Sequence, residues 1–205
     1  MTLERILLIR HGETDWNASR RWQGFAPTDL NQQGRLQAQA LAYNLANRPI
    51  GSIFSSDLPR TVQTAAPLAE QLRLTLVLDE RWREIHLGVF QGLTQDEAEQ
   101  RYPDEVAARR ADYWNYVIPA GESRRQLQNR AHAAWLSLIE QAVGPEAVVI
   151  SHGGTLKVLL LRLYGEGDEI QKIALENASI TTLERSGGDW LLKGVSETPH
   201  LIDGL

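Results

Sequence analysis

An α/β fold with a mainly parallel sheet is predicted by three features of the sequence. Apolar runs at residues 5–10, 52–55, 74–78 and 147–150 have the length and near-continuous hydrophobicity of strands buried on both faces. Stretches of helical periodicity separate them, and such alternation implies parallel strands joined by helical crossovers. Two of the runs also stop abruptly in polar residues, Arg10-His11-Gly12 and Ser151-His152-Gly153-Gly154. That is how an open α/β sheet delivers functional groups at the carboxyl ends of its strands.

The elements follow in order. Met1-Thr2-Leu3-Glu4 leads straight into the first strand, Arg5 to Arg10. Residues 13–29, with few apolar positions, a glycine and a proline, read as a loop with room for one helical turn. Asn31 is an N-cap for a helix whose Leu36, Ala40, Leu41 and Leu45 recur at helical spacing before Pro49. The short run at 52–55 is a second strand. Asp57 then reads as the N-cap of a helix with Pro59 in its first turn, running to about Leu72 and bent at Pro67. A third strand is expected at 74–78. Thr94 and Glu97 have the spacing of a capping box, and a short helix there ends near Pro103. A further helix is predicted over 105–116. Tyr113, Trp114 and Tyr116 on it read as core positions, with a substrate lid as the competing reading. Ser123 and Gln126 form another capping box for a helix reaching about Val143. After the strand at 147–150, a helix is expected over 156–163. Two strands, 179–184 and 190–195, close the chain as a hairpin turned at Gly187-Gly188-Asp189.

Composition narrows the classes of function. A chain of 205 residues with 42% hydrophobic content supports one large domain, expected to span 1–205. No apolar run approaches the roughly 20 residues that span a bilayer, and no signal peptide is read at the start, so no membrane partner is expected. The chain has no cysteine, which is compatible with the reducing cytoplasm, the expected location. A net charge of −5 argues against a general nucleic-acid binder. Eighteen of the 21 basic residues are arginine, the side chain suited to bidentate contacts with phosphate or carboxylate.

The chemistry comes from convergence. Parallel strands place Arg10, His11, Arg60 and His152 at one sheet edge, with Glu84 following the third strand and within reach. Two arginines beside two histidines suggest an anion site suited to the equatorial oxygens of a phosphoryl group. A neutral histidine is a nucleophile, and a carboxyl group can protonate a leaving alkoxide. His86, His132 and His200 have no such position and read as structural or surface residues. Arg60 and Glu84 each have a competing reading as members of ordinary ion pairs, Glu84 with Arg81 or Arg83.

At these residues the chain resembles the histidine phosphatase superfamily, also called the phosphoglycerate mutase-like family. The resemblance is carried by Arg10-His11-Gly12-Glu13-Thr14 with Asn17, Gln23-Gly24, Ser55-Ser56-Asp57-Leu58 through Arg60 and Thr64, Glu84 to Gly92, Gly121-Glu122-Ser123, and Ser151-His152-Gly153-Gly154. It implies a three-layer α/β/α sandwich of the phosphoglycerate mutase-like type and a phosphohistidine at His11. Glu84 is then the proton donor and later the base for water, while Arg10, Arg60 and His152 hold the phosphoryl group. Asn17, Gln23, Gly24 and Gly153 match the family's phosphate pocket. The expected function is hydrolysis of a small phosphate monoester without a cofactor. A cofactor-dependent phosphoglycerate mutase is the first alternative. It is disfavoured because the interval from Glu84 to Gly121 is short and has few basic residues. A non-catalytic phosphate-binding module is the second. A metallophosphatase lacks support, since no histidine pairs with a carboxylate at ligand spacing, and activity is expected to survive a chelator.

Overall fold

A six-stranded sheet in the order β3-β2-β4-β1-β5-β6 forms the centre of the protein, as seen in a computed structural model that describes residues 2–165 and 167–201. Met1, at the start of the predicted lead-in to β1, lies outside the described residues. The elements are β1 (Arg5–Arg10), α1 (Asp15–Ala18), α2 (Gln32–Leu45), β2 (Ile50–Ser55), α3 (Pro59–Leu72) and β3 (Leu76–Leu78). There follow α4 (Gln95–Arg101), α5 (Pro103–Ala111), α6 (Arg124–Gln141), β4 (Glu146–Ser151), α7 (Gly153–Tyr164), α8 (Asp168–Gln171), β5 (Ile180–Ser186) and β6 (Asp189–Glu197).

The strands β1 to β4 run parallel, while β5 pairs antiparallel with β1 and β6 with β5. Alternate residues of β1 serve opposite layers. Ile6 and Leu8 pack with Ala147 and Val149 beneath α6 and α7, whereas Leu7 and Ile9 pack with Val148 and Ile150 beneath α2 and α3. The result is the three-layer α/β/α sandwich. Each of the four fully buried side chains of β1 contributes roughly 1.5–3 kcal/mol relative to exposure, so β1 is anchored from both sides. No helix among the described residues is long and apolar enough to cross a membrane.

Register carries the strand ends to one line. Arg10 lies opposite Ser151 in β4, and Ser55 of β2 lies opposite Ile150, so His11, Ser56 and His152 leave the sheet side by side. His11 N–H donates to Ser151 O at 2.9 Å and Ser56 N–H to Ile150 O at 3.1 Å, extending the ladder past the assigned strands. The loop after His11 is then clamped by α2. A Cβ on Gly34 would lie 2.0 Å from Glu13 O, so only glycine allows this approach. Asn31 caps α2 through Gly34 N–H at 2.8 Å while its own amide holds Glu13 Oε1, also at 2.8 Å.

Several elements depart from the sequence reading for local reasons. Asp57 does not cap α3. Pro59 takes the first helical position, which makes Leu58 the cap residue, and Asp57 instead forms a two-bond ion pair with Arg83 at 2.7 and 2.5 Å. The helix continues through Pro67 to Leu72. In α2 the buried stripe is Gly34, Gln37, Ala38, Leu41, Ala42 and Leu45, which leaves Leu36 exposed and Ala40 at the margin. β3 is two residues shorter at its start than expected. The helix expected over 105–116 spans Pro103 to Ala111, because the Asp112 carboxylate accepts from Asn115 N–H at 2.9 Å and turns the chain. Of the three aromatics beyond it, Tyr116 packs against a core cluster, while Tyr113 is about half exposed and faces a cavity. α7 begins at Gly153, three residues earlier than expected, with His152 at its N-cap position.

The chain between Glu84 and Gly121 has its own small core of Leu87, Phe90, Leu93, Ala98, Val106 and Ile118. This excursion, carrying α4 and α5, forms one wall above the carboxyl edge of the sheet.

Candidate active site

A cavity of about 400 Å³ opens over that edge. Arg10, His11, Asn17, Gln23, Gly24, Arg60, Glu84 and Gly153 all line it, so eight of the nine residues nominated from the sequence share one space. The ninth, His152, is fully buried directly behind Arg60.

His11 is prepared by its neighbours. Its Nδ1 lies 2.7 Å from Gly12 O, an acceptor only, so Nδ1 carries the proton and Nε2 keeps its lone pair. The Nε–H of Arg60 sits between two rings, 3.3 Å from His11 Nε2 and 3.2 Å from His152 Nδ1. A donor shared in this way requires an unprotonated nitrogen on each ring. His152 therefore carries its proton on Nε2, which lies 3.0 Å from Ser56 Oγ. Burial holds both histidines well below their usual pKa, and the positive charge of Arg60 lowers each further. Both are neutral, as the shared donor requires, and His11 presents an unprotonated Nε2.

The two arginines differ in freedom. Arg60, in the first turn of α3, donates to Ala26 O and Gly24 O, both at 2.9 Å, and to Thr28 Oγ1 at 3.2 Å. Burial lowers its pKa to about 10, so it remains a cation. Arg10 donates to Leu175 O at 2.6 Å, but its Nε–H is buried without a partner among the described residues. A buried guanidinium donor left unpaired is costly, and an oxyanion in the cavity would satisfy it. The N-terminus of the 12-residue helix α7, at Gly153, adds its dipole on the same side.

Glu84 stands apart from the surface ion pairs that competed for it, since Arg81 takes Asp79 and Arg83 takes Asp57. Its carboxylate is oriented by backbone N–H groups instead, from Ile85 at 2.8 Å and Gly154 at 3.0 Å. The contact with Gly154 requires glycine, because a Cβ there would lie 2.4 Å from Glu84 Oε1. Arg130 of α6 fixes the peptide around Glu84, donating to Arg83 O and Glu84 O at 2.6 Å each, and is itself held by Glu122 at 2.5 Å. This explains the Gly121-Glu122-Ser123 segment. Glu122 anchors the glutamate loop, and Ser123 caps α6 as its spacing with Gln126 predicts.

The remaining nominated residues are tied to this frame. Asn17 closes the capping box on Thr14, and its Oδ1 also accepts from Asn177 Nδ2 at 3.3 Å. Gln23 Oε1 accepts from Thr28 Oγ1 at 2.6 Å, which leaves its amide N–H groups for the cavity. His86 packs against Phe25, and neither it nor His132 or His200 lines the cavity. No group of three or more metal-capable side chains occurs among the described residues.

Sequence reasoning missed Asn177, whose amide donates to His11 O at 3.0 Å from the approach to β5, and which no motif marks. It also missed Arg21, Arg109, Arg124 and Lys157, which line the cavity together with Tyr113, the residue read as core with a substrate lid as the competing reading. The interval from Glu84 to Gly121 therefore does supply a cation to the cavity, Arg109, through the fold of α5.

The family model described as "Histidine phosphatase superfamily (branch 1)" matches residues 6–198. A Yersinia pestis protein named "Probable phosphoglycerate mutase GpmB" is 36% identical, over 96% of this chain and 94% of its own. Among solved structures, a mycobacterial glucosyl-3-phosphoglycerate phosphatase in complex with VO3 is 33% identical with a TM-score of 0.82, over 95% of this chain and 100% of that one. The α-ribazole phosphatase from Shigella flexneri is 25% identical with a TM-score of 0.85, over 94% and 96%. With nearly the whole chain matched in sequence, fold and order of motifs, the protein belongs to the histidine phosphatase superfamily and is an enzyme of that type.

Proposed function

We propose that the chain hydrolyses a small phosphate monoester through a phosphohistidine at His11. One observation carries the reading: a neutral His11 with its Nε2 unprotonated, accepting only the shared Nε–H of Arg60, lines one cavity with the Glu84 carboxyl group and the unsatisfied donor of Arg10. Nε2 attacks phosphorus and the P–O bond to the leaving group breaks, with the proton delivered by Glu84. Arg10, Arg60 and the amide of Gln23 stabilise the charge on the transferring oxygens, with Asn17, Gly24 and Gly153 shaping the pocket around them. His152 acts from behind Arg60, fixing its Nε–H between the two rings. Water then attacks the phosphohistidine and gives its proton to Glu84 as the P–N bond breaks. Hydrolysis needs water at this point, and the half-exposed Tyr113 at the cavity wall is consistent with an open mouth. The compartment we propose is the cytoplasm, with which a cysteine-free chain is compatible.

The mutase reading is favoured by the name of the 36% identical relative and by Arg109 in the cavity. The two separate in one assay, phosphate release from p-nitrophenyl phosphate against isomerisation of 3-phosphoglycerate with 2,3-bisphosphoglycerate. Hydrolysis predicts release without isomerisation; isomerisation with negligible release would overturn it. A pure binding module is disfavoured because nucleophile and acid are both present.

Gly154 gives a sharper expectation. In Gly154→Ala the new methyl meets the far end of a flexible side chain, so the fold tolerates it and Glu84 swings aside. Thermal stability should stay near wild type while kcat falls about 10–100-fold, the scale of a displacement near 1 Å in a catalytic group. An unchanged kcat would show that Glu84 is not used from this position.

A further inference from the structure

The irregular approach to β5 holds the site at several points that its own strand does not require. Leu175 O accepts from Arg10 at 2.6 Å, and Ala178 N–H is shared between Arg10 O at 3.0 Å and His11 O at 3.2 Å. Asn177 Nδ2 lies 3.0 Å from His11 O and 3.3 Å from Asn17 Oδ1. The turn that makes these contacts is strained. Ala178 is fully buried at φ +57°, a left-handed conformation that an alanine side chain disfavours. Such strain persists where the surrounding structure over-determines it, and it collects at functional sites.

The orientation of both amides follows from their partners. A backbone carbonyl only accepts, so the Asn177 atom facing His11 O is its nitrogen, and the two hydrogens on it serve His11 O and Asn17 Oδ1. Asn17 Oδ1 also accepts from Thr14 N–H at 3.1 Å and from Thr14 Oγ1 at 3.0 Å. Three donors on that oxygen leave the N–H groups of Asn17 to face the cavity it lines, and donation into the oxygen polarises the amide and strengthens them. One nitrogen thus sets the spacing between the peptide that carries the nucleophile and an amide aimed at the phosphoryl oxygens. We propose that Asn177 is a positioning residue for phosphoryl transfer, a brace that holds His11 and the Asn17 amide in register without touching the substrate; this rests on the phosphatase reading. The brace is not needed for the fold. Without it His11 O keeps Ala178 N–H and Asn17 Oδ1 keeps both Thr14 donors, so neither acceptor is stranded.

The test is Asn177→Ala, read by kcat and KM on p-nitrophenyl phosphate and on propyl phosphate, with a thermal melt beside them. The melting temperature should fall by only a few degrees, as two replaceable hydrogen bonds imply. kcat/KM should fall about tenfold or more, mainly through kcat, the scale on which small misplacements of reacting groups operate. Both esters should lose by the same factor, because the brace acts on the nucleophile and the phosphoryl group and not on Glu84, which serves the leaving group. Combined with Asn17→Ala, the loss should be smaller than the product of the two single losses by about threefold or more, since both changes break one unit. A folded Asn177→Ala within about threefold of wild type would overturn the brace and leave the phosphatase reading standing. A loss confined to propyl phosphate, or single losses that multiply, would do the same. Asn177→Asp keeps the shape but sets an acceptor against two carbonyl oxygens; it should lose at least as much, and it decides where the alanine variant fails to fold. Loss of folding in both would make Asn177 a structural residue and overturn the brace. Release of phosphate from neither ester by wild type would overturn the phosphatase reading and the brace with it.

Discussion

Replacing His11 by alanine is expected to reduce turnover of every phosphate ester by about 10⁴-fold or more, the scale on which loss of a covalent nucleophile operates. At 1.36 kcal/mol per factor of ten, that is at least about 5.4 kcal/mol of lost transition-state stabilisation. The cause is specific. His11 lines the cavity and keeps Nε2 unprotonated, sharing the Nε–H of Arg60 with His152 Nδ1, whereas His152 is fully buried, does not line the cavity and has its protonated Nε2 against Ser56. His152 therefore cannot substitute. A thermal melt run alongside separates loss of chemistry from loss of fold, since the buried His11 ring also gives up its contacts with Gly12 O, Arg60 and the His152 ring. Turnover of the folded variant within tenfold of wild type would remove His11 from the reaction.

Glu84→Gln is expected to divide its effects by leaving group. The amide retains the shape of the carboxylate and one oxygen for the N–H of Gly154 or Ile85, but it cannot supply a proton. For an alkyl phosphate the loss in turnover should be about 10²–10⁴-fold, the range for a positioned general acid. For p-nitrophenyl phosphate, whose leaving group needs no proton, formation of the phosphoenzyme should be nearly unaffected. Its breakdown should slow, because water loses its base, so a burst of nitrophenolate followed by a slow steady state is expected. Equal losses for both esters with no burst would show that Glu84 only binds. Steady-state and stopped-flow measurements on the two esters decide this.

The sheet and its flanking layers were legible because buried parallel strands write themselves as apolar runs. Residues 6–9 and 147–150 are the plainest cases, and both capping boxes at Thr94 and Ser123 formed as spaced. Asp57 was misread because an acidic residue two positions before a proline fits a cap equally well on paper. The choice went to an arginine 26 residues away that local sequence does not reveal. The inner site was legible because its residues sit at strand ends or in the first turn after them, positions that topology brings together. Arg109, Arg124 and Asn177 were not. They come from the interior of an excursion, the first residue of a helix and an irregular approach to a strand; Arg109 reaches the cavity through the fold of the segment from Glu84 to Gly121, and Asn177 reaches the site through its bonds to His11 and Asn17. The segment is poor in basic residues, as read, and one of them, Arg109, lines the cavity.

The central claim is that the phosphoryl group passes through His11. Its most direct measurement is rapid acid-free denaturing quench of the wild-type enzyme during turnover of p-nitrophenyl phosphate, followed by peptide mapping of bound phosphate. The account predicts phosphate on the peptide containing His11, stable to base, lost in acid, and absent from His11→Ala. Phosphate on a serine or threonine, on His152, or on no residue at all while turnover proceeds would contradict it.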